Sequence, residues 1–350
     1  MMKKTKSAGS WKRGILIALC VVLALILTVM IAATIYVESL MNKINRQPNN
    51  ESLSASEIQE ILAQDDEPTG TGPVVKPEDV VIETTPAEVI ESGENMIHIL
   101  LIGQDRRPGE KRQRSDAMIL CTINKAEKTL TMTSFLRDIY IHIPNFGREK
   151  LNTAYVVGGM EMLDATLKEN FGVQIDANVE VDFNGFMKLI DMVGGVEIEL
   201  TQEEAGFMNR NGNWGVESNQ GWNLKAGKNK LNGSQALAYS RIRYIGTDFA
   251  RTERQRKVIT SLLEAAKDMS ILEMNKLLNE AVTLVTTDMT NSDITNYALE
   301  LLPLIADLTI NTQRIPLDNT YSFKLIEGVG DSIIMDFETN RKFLQETLSE

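Results

Sequence analysis

The sequence predicts an α/β protein: a mixed or mostly parallel sheet with helices on both faces, preceded by a single N-terminal transmembrane helix. Three observations carry that expectation. Residues 15 to 37, ILIALCVVLALILTVMIAATIYV, run for 23 residues without a charge. From Met96 onward, stretches of strand character alternate with stretches of helical periodicity. The first of these, MIHILLIGQD, is a continuous apolar run ending in a polar turn, the pattern of a buried central strand.

At about 1.5 Å per residue the uncharged run spans a hydrocarbon core of roughly 30 Å. It is longer than the apolar region of a cleaved signal peptide, and no small-x-small site with a clear mature start follows it. Lys3, Lys4, Lys6, Lys12 and Arg13 precede the run and Glu38 follows it, so the short basic tail (1 to 14) is expected in the cytoplasm and the rest outside the cell membrane. Residues 38 to 95 hold five of the nine prolines, and residues 47 to 95 carry a net charge of −11. Such composition offers little apolar surface to offset chain entropy and predicts a flexible acidic linker. Within it, SASEIQEILAQ (54 to 64) has Ser54 or Ser56 as a helix cap, but so short a segment is expected to form only a transient turn.

The catalytic-type domain is expected from 96 to 350. Strands are predicted over 117 to 123 and 129 to 134, joined by a turn at Asn124 to Lys128. GGMEMLDATLKENFG reads as a helix with apolar positions 160, 162, 163 and 167, stopped by Gly172. VEVDF, NGFMKLIDMVGG and VEIEL read as strand, helix and strand, with Asn184 as N-cap and Gly194 and Gly195 closing the helix. NGSQALAYS opens a helix at Asn232, and RTERQRKVITSLLEAAK continues as a long one with Val258, Ile259, Leu262 and Leu263 facing the core. Beyond 305, INTQRIPL suggests one strand and SIIMDF a strand-to-helix closure. Cys20 lies in the predicted span and Cys121 in a strand, so the domain must fold without a disulfide, which its size allows.

Residues 96 to 350 carry a net charge of −7, yet YSRIRYIGTDFARTERQRK (239 to 257) holds five arginines and a lysine. An acidic domain with one arginine cluster is not a general polyanion binder, which argues against nucleic acid and for a local anion site. Ligands of such sheets bind beyond the carboxyl ends of the strands. That is where Asp105 and Arg106, then Arg114, Ser115 and Asp116, then Arg137 and Asp138 fall. Asp105 and Asp116 on converging loops could hold one divalent cation, the rest of its shell being water and phosphate. Arg241 and Arg243 converge only if the chain there is extended, which would turn Ile242 and Tyr244 into the core. Asp248 can cap the following helix, placing Arg251, Arg254 and Gln255 on its first turns, where backbone N–H groups and guanidinium forks favour phosphate. Arg256 and Lys257 suit a solvated face beside Glu253. His98 and His142 read as strand residues, and no Ser-His-Asp order, Cys-His pair, HExxH, Walker A or GxGxxG is present. Arginine and carboxylate without a nucleophile describe a site that neutralises phosphate while an incoming hydroxyl attacks.

LLIGQD (100 to 105), RSDAMIL (114 to 120), SFLRDIYIHIP (134 to 144), KLNTAY (150 to 155), VDFNGFMKLIDMVGGVEI (181 to 198), LNGSQALAYSRIR (231 to 243) and DFARTERQRKVI (248 to 259) together resemble the LytR-CpsA-Psr (LCP) family, whose members attach glycopolymers to bacterial cell walls. The resemblance covers about 96 to 268. It implies an α/β/α sandwich around a mixed sheet, with an apolar pocket for a polyprenyl chain, for which helices 160 to 171 and 184 to 193 are candidate walls. It also implies a magnesium-dependent (or manganese-dependent) phosphotransferase, whose donor is a polyprenyl-pyrophosphate-linked glycan such as a teichoic acid or capsule and whose acceptor is a peptidoglycan hydroxyl. By resemblance Asp105 and Asp116 are the metal-associated carboxylates, and Arg137, Arg241, Arg243, Arg251 and Gln255 surround the pyrophosphate. Arg106, Arg114 and Lys150 join that set, and Asp248 joins Arg137, Arg241 and Arg243 as a candidate catalytic residue. Two positions depart from the family pattern: Gln104 where a small residue is common, and Leu136 where proline is usual. Loop geometry beside the metal could differ there. A lipid-pyrophosphate hydrolase and a nonenzymatic membrane-anchored regulator are the alternatives of other classes.

Overall fold

The computed structural model describes residues 36–46, 53–63, 73–82, 85–90, 93–104, 106, 111–210 and 221–349. The chain divides into two compact units, Met1–Ile44 and Asn45–Glu350. In the first, a helix, α1, covers residues 36 to 41. Among the described residues no helix is long and apolar enough to cross a membrane; the predicted span lies, up to residue 35, outside them.

In chain order, the second unit opens with β1 (Asn45–Arg46), α2 (Ala55–Ala63) and β2 (Val74–Val75). Three antiparallel strands follow, β3 (Met96–Gln104), β4 (Ser115–Asn124) and β5 (Thr129–Phe135), then a small hairpin of β6 (Tyr140–Ile143) and β7 (Gly147–Lys150). Next come α3 (Leu151–Phe171), β8 (Ala177–Asp182), α4 (Phe183–Met192), β9 (Val196–Leu200), α5 (Gln202–Met208) and β10 (Gly227–Leu231). The remaining elements are α6 (Gly233–Ser240), α7 (Asp248–Lys267), α8 (Ile271–Leu284), β11 (Val285–Thr287), α9 (Asn291–Leu301), β12 (Thr309–Ile315), β13 (Tyr321–Ile326), β14 (Gly330–Met335) and α10 (Phe337–Leu348).

The central sheet is mixed, in the order β1-β11-β8-β3-β4-β5-β12. β3 and β8, β5 and β12, and β1 and β11 run parallel, while β11 and β8, β3 and β4, and β4 and β5 run antiparallel. The period-two alternation of β3 sorts the layers. Leu100 and Ile102 join Met118, Leu120 and the α3 residues Leu151, Tyr155, Leu163 and Leu167 in one core. Ile97, Ile99 and Leu101 face the other way, with Ile119, Ile123, Met132 and Ile259 and Leu263 of α7. A third core unites α4 to α7 with the hairpin of β9 and β10, which lies outside the central sheet.

Several expectations are corrected. Of the linker expected over residues 38 to 95, the described parts from Asn45 onward are built into the second unit instead of forming a free linker. β1 adds an edge strand, β2 pairs with β13, and α2 forms with Ser54 and Glu57 in a reciprocal capping arrangement. The physical reason lies in Leu53, Ile58, Ile61 and Leu62, which pack on Val156 of α3 and give α2 the tertiary burial that an isolated segment lacks. The helix read from Gly158 begins at Leu151 and kinks at Gly158 and Gly159, the latter at φ 66, ψ −148. Its C-terminal Gly172 sits at φ 74, the left-handed stop read from sequence. Asp182, not Asn184, caps α4, accepting from Gly185 N at 2.7 Å. Asn232 caps α6 as expected, with Gln235 completing the box.

Candidate functional site

The site gathers at the carboxyl ends of β5 and β12 and the amino end of α7. β5 delivers Leu136, Arg137 and Asp138 into a loop that the backbone pins on several sides. Leu136 N donates to Ile315 O (3.0 Å), Asn152 N to Arg137 O (3.2 Å) and Ile333 N to Asp138 O (2.8 Å). Leu136 is fully buried, and its N–H is a donor that a proline here would lack. The departure from the family pattern at this position thus adds one hydrogen bond beneath Arg137.

Arg137 Nη1 donates to Asp116 Oδ1 at 2.6 Å and its Nε lies 3.5 Å from Asp138 Oδ2. Lys150 Nζ stands 3.8 Å from Asp138 Oδ1. Across the site, Arg251, only 3% exposed, holds Asp248 at 2.7 Å. Thr247 is the N-cap of α7, so Asp248 occupies the first helical position rather than the cap, and from there it meets Arg251 one turn on.

The electrostatics show that these groups form one cluster. Burial alone would raise the Asp116 carboxyl, but the guanidinium groups of Arg137, Arg251 and Arg243 outweigh it and hold the carboxyl below its ordinary value. Burial would lower Arg137, yet Asp116, Asp138 and Asp248 together push it well up. Burial raises Asp138, helped by the Asp248 charge and opposed first by Arg137. For Arg251 the balance goes the other way: burial, with Arg137 and Arg243, depresses it despite Asp248 and Asp116. Its buried Nε, moreover, has no hydrogen-bond partner among the described residues, and neither has the buried Oε1 of Gln255 one turn on. A buried guanidinium short of a hydrogen bond and of negative charge is matched to an anionic ligand.

The structure therefore brings together Asp116, Arg137, Lys150, Arg243, Asp248 and Arg251, with Asp138, which the sequence placed at that strand end without a role of its own, as a further member. Arg241 ends α6 at φ −103, ψ 0, so the chain at Arg241 is a helix-ending turn rather than extended; its guanidinium lies 4.5 Å from the Phe183 ring centroid. Ile242 is buried as expected, but Tyr244 is 85% exposed and does not enter the core. Two other arginines go elsewhere. Arg106 Nη2 is 3.5 Å from Glu180 Oε1, in a buried network where Glu180 also accepts from Gln104 Nε2 and the Tyr155 hydroxyl. Arg114 Nη2 donates to Leu62 O at 2.8 Å, tying β4 to α2. Gln104 is itself fully buried, and its Oε1 accepts from Gln113 N (3.1 Å), so the second departure from the family pattern braces the loop from inside.

Arg256 is not a solvated surface group. It is 6% exposed, donates from Nη1 to Ser134 Oγ at 2.7 Å, and burial lowers its pKa to about 10. Lys257 does lie on the exposed face, paired with Glu253 at 2.8 Å. Arg254 is buried too, for reasons of its own that concern the loop before α7. Asp105 lies outside the described residues, so of the two expected metal carboxylates Asp116 alone can be placed. No group of three or more potential metal ligands occurs among the described residues.

A sequence model of the LytR_cpsA_psr family matches residues 55–339. The chain belongs to this family. Among curated relatives, the regulatory protein MsrR of Staphylococcus aureus (strain COL) is 30% identical over 258 residues, 73% of this chain and 75% of MsrR. The polyisoprenyl-teichoic acid--peptidoglycan teichoic acid transferase TagU of Oceanobacillus iheyensis is 34% identical over 258 residues, 70% of this chain and 73% of TagU. Among solved structures, the LytR-CPS2A-psr family protein YwtF (TagT) of Bacillus subtilis, with bound octaprenyl pyrophosphate lipid, superposes with TM-score 0.56 at 24% identity, covering 76% of this chain and 97% of that one. That likeness concerns the fold, and the mixed central sheet is common to this LytR_cpsA_psr protein and to YwtF.

Proposed function

We propose that the protein is a glycopolymer transferase of the bacterial cell wall, moving a polyprenyl-pyrophosphate-linked glycan onto a peptidoglycan sugar hydroxyl. The observation that carries the reading is Arg251: buried, depressed by burial and neighbouring cations, and with an unmatched Nε beside Arg137 and Arg243. The name of the TagU relative and the lipid bound in the YwtF structure support the same class of donor.

In this reading Arg137, Arg241, Arg243 and Arg251 neutralise the pyrophosphate, with Lys150 and Gln255 at its margin. Asp116 and Asp248 hold Arg137 and Arg251 in place. The acceptor hydroxyl attacks the glycan-linked phosphorus, the bond from that phosphorus to the bridging oxygen breaks, and polyprenyl phosphate leaves while the acceptor gives up its proton. Asp116, kept ionised by three guanidinium groups, offers the hard oxygen donor that magnesium or manganese accepts, and Asp105 is the second expected ligand. Such a cation would add neutralisation of phosphate charge. Residues 15 to 37 anchor the enzyme as a single-pass protein with its N-terminus in the cytoplasm and its domain on the outer side.

The test is reconstituted transfer from a polyprenyl-pyrophosphate glycan to peptidoglycan oligomers with Mg²⁺. Arg241→Ala and Arg243→Ala are expected to abolish transfer with circular dichroism and melting unchanged. Normal turnover in both would sink the assignment. Release of free glycan with or without acceptor would instead identify a hydrolase, and no turnover by the wild-type protein would favour the regulatory role that the MsrR name carries.

A further inference from the structure

The C-terminal hairpin of β13 and β14 brings an aromatic cluster to the rim of the site. Phe249 directly follows Asp248 and stacks on Tyr321, with ring centroids 4.6 Å apart and planes at 28°. Phe323 stands edge-on to both, at 6.3 Å from Phe249 and 5.6 Å from Tyr321. Tyr321 and Phe323 are two residues apart on one strand and so share a face. Phe323 is 61% exposed, which for a ring held in a three-ring cluster is an apolar surface presented to solvent.

Register ties this surface to the phosphate site. Phe323 pairs with Ile333 of β14, and Ile333 N donates to Asp138 O at 2.8 Å. The Phe323 backbone therefore lies about two strand spacings, roughly 10 Å, from the Asp138 carbonyl. The cluster's charge is spent locally. Arg314 lies 4.4 Å from the Phe249 centroid, donates to Pro316 O at 2.6 Å and is bonded to Asp318. An aromatic platform whose neighbouring Arg314 is already matched suits the C–H face of an uncharged pyranose better than the phosphate-bearing chain of a polyanionic donor.

We propose that the Phe249–Tyr321–Phe323 cluster is the subsite for the acceptor glycan, stacking one sugar of the peptidoglycan strand so that a hydroxyl farther along the strand reaches the phosphorus over Arg137. The proposal rests on the transferase reading and gives a role to the C-terminal hairpin.

The test has two arms. In the transfer assay with the full-length protein in detergent, Phe323→Ala is expected to raise the acceptor KM about tenfold, the order a single stacking contact contributes, with the donor KM within about twofold. Phe323→Trp should restore the acceptor KM. A raised donor KM with unchanged acceptor KM would assign the platform to the donor, and no change in either would remove it from the site; both overturn the proposal. In the second arm, saturation-transfer NMR of a peptidoglycan disaccharide oligomer without donor should show contact in the wild type and lose it in Phe323→Ala. That arm reads binding even if the wild type transfers nothing, so the two readings fail separately. Equal binding by wild type and variant would overturn the proposal whatever the activity.

Discussion

Arg254 separates a structural arginine from a ligand-binding one. Sequence spacing put it beside Arg251 on the phosphate-favouring end of α7, but it is 5% exposed and its three nitrogens are all committed: Nε to Glu204 Oε1 (2.8 Å), Nη1 to Ile242 O (3.1 Å) and Nη2 to Ile245 O (2.8 Å). It fastens the turn that carries Arg241 and Arg243. Arg254→Ala would leave Glu204, 7% exposed, as a buried charge without its partner. Breaking such a pair costs about 3–5 kcal/mol. Glu204 keeps one compensation, accepting from Thr201 N at 2.9 Å, so the lower end applies, about 3 kcal/mol. For a domain of this size each kcal/mol lowers Tm by about 2–4 °C, predicting a fall of about 6–12 °C. Adding Glu204→Gln removes the stranded charge while keeping an acceptor for Thr201, so the double variant should melt above Arg254→Ala alone. Scanning calorimetry of the three proteins checks this. A variant that melts within about 2 °C of wild type yet binds the lipid donor weakly would refute the structural role and return Arg254 to the phosphate site.

Two further perturbations follow from the same structure. Asp164 is raised to about 7, first by burial and then by the Asp288 and Glu161 charges, against the hydrogen bond from Asn178 Nδ2 (2.8 Å). Its folded pKa exceeds the unfolded value near 3.9, so the folded state holds the proton more tightly and stability falls as pH rises from about 4 to about 7. Asp164→Asn, which keeps an acceptor for Asn178, should raise stability at pH 8 by up to a few kcal/mol and leave it unchanged at pH 4; urea midpoints at the two pH values decide, and a gain only at pH 4 would reverse the sign. Gly159, at φ 66, ψ −148, occupies backbone that only glycine adopts readily, so Gly159→Ala should cost about 1–3 kcal/mol in urea melts. Gly206→Ala, with nothing within 4 Å of the added methyl and no positive φ, should cost nothing.

Local signals made most of the central sheet legible. The apolar run of β3, the turn at Asn124 to Lys128, the left-handed stop at Gly172 and the capping box at Asn232 each involve residues close in sequence, and each fell where expected. What sequence could not give was set by contacts from far along the chain. α2 looked transient because its partner Val156 lies about a hundred residues on, and β13 was missed although YSFKLI alternates apolar and polar residues, its pairing partner β2 lying about 250 residues earlier in the acidic segment. The same distinction holds for the arginines. Arg137, Arg241, Arg243 and Arg251 were grouped by the family resemblance, but nothing in the spacing of 251, 254 and 256 says that the second clamps a loop and the third reaches Ser134 on β5.

The aspartates of the cluster decide what kind of anion site this is. Among the described residues the cations Arg137, Lys150, Arg243 and Arg251 are interspersed with Asp116, Asp138 and Asp248, so the carboxylates offset part of the repulsion that Arg137 and Arg243 exert on Arg251. The ion pairs tether these long side chains before a ligand arrives, which lowers the ordering cost of binding. On the proposed reading, an incoming pyrophosphate meets carboxylates as well as arginines. Asp138, raised by burial and by Asp248, is one of the carboxylates whose charge would oppose added phosphate. Donor binding should therefore be linked to whatever relieves that conflict, a proton on Asp138 or a divalent cation near Asp116. By linkage, either one would raise donor affinity by the same factor by which donor raises theirs.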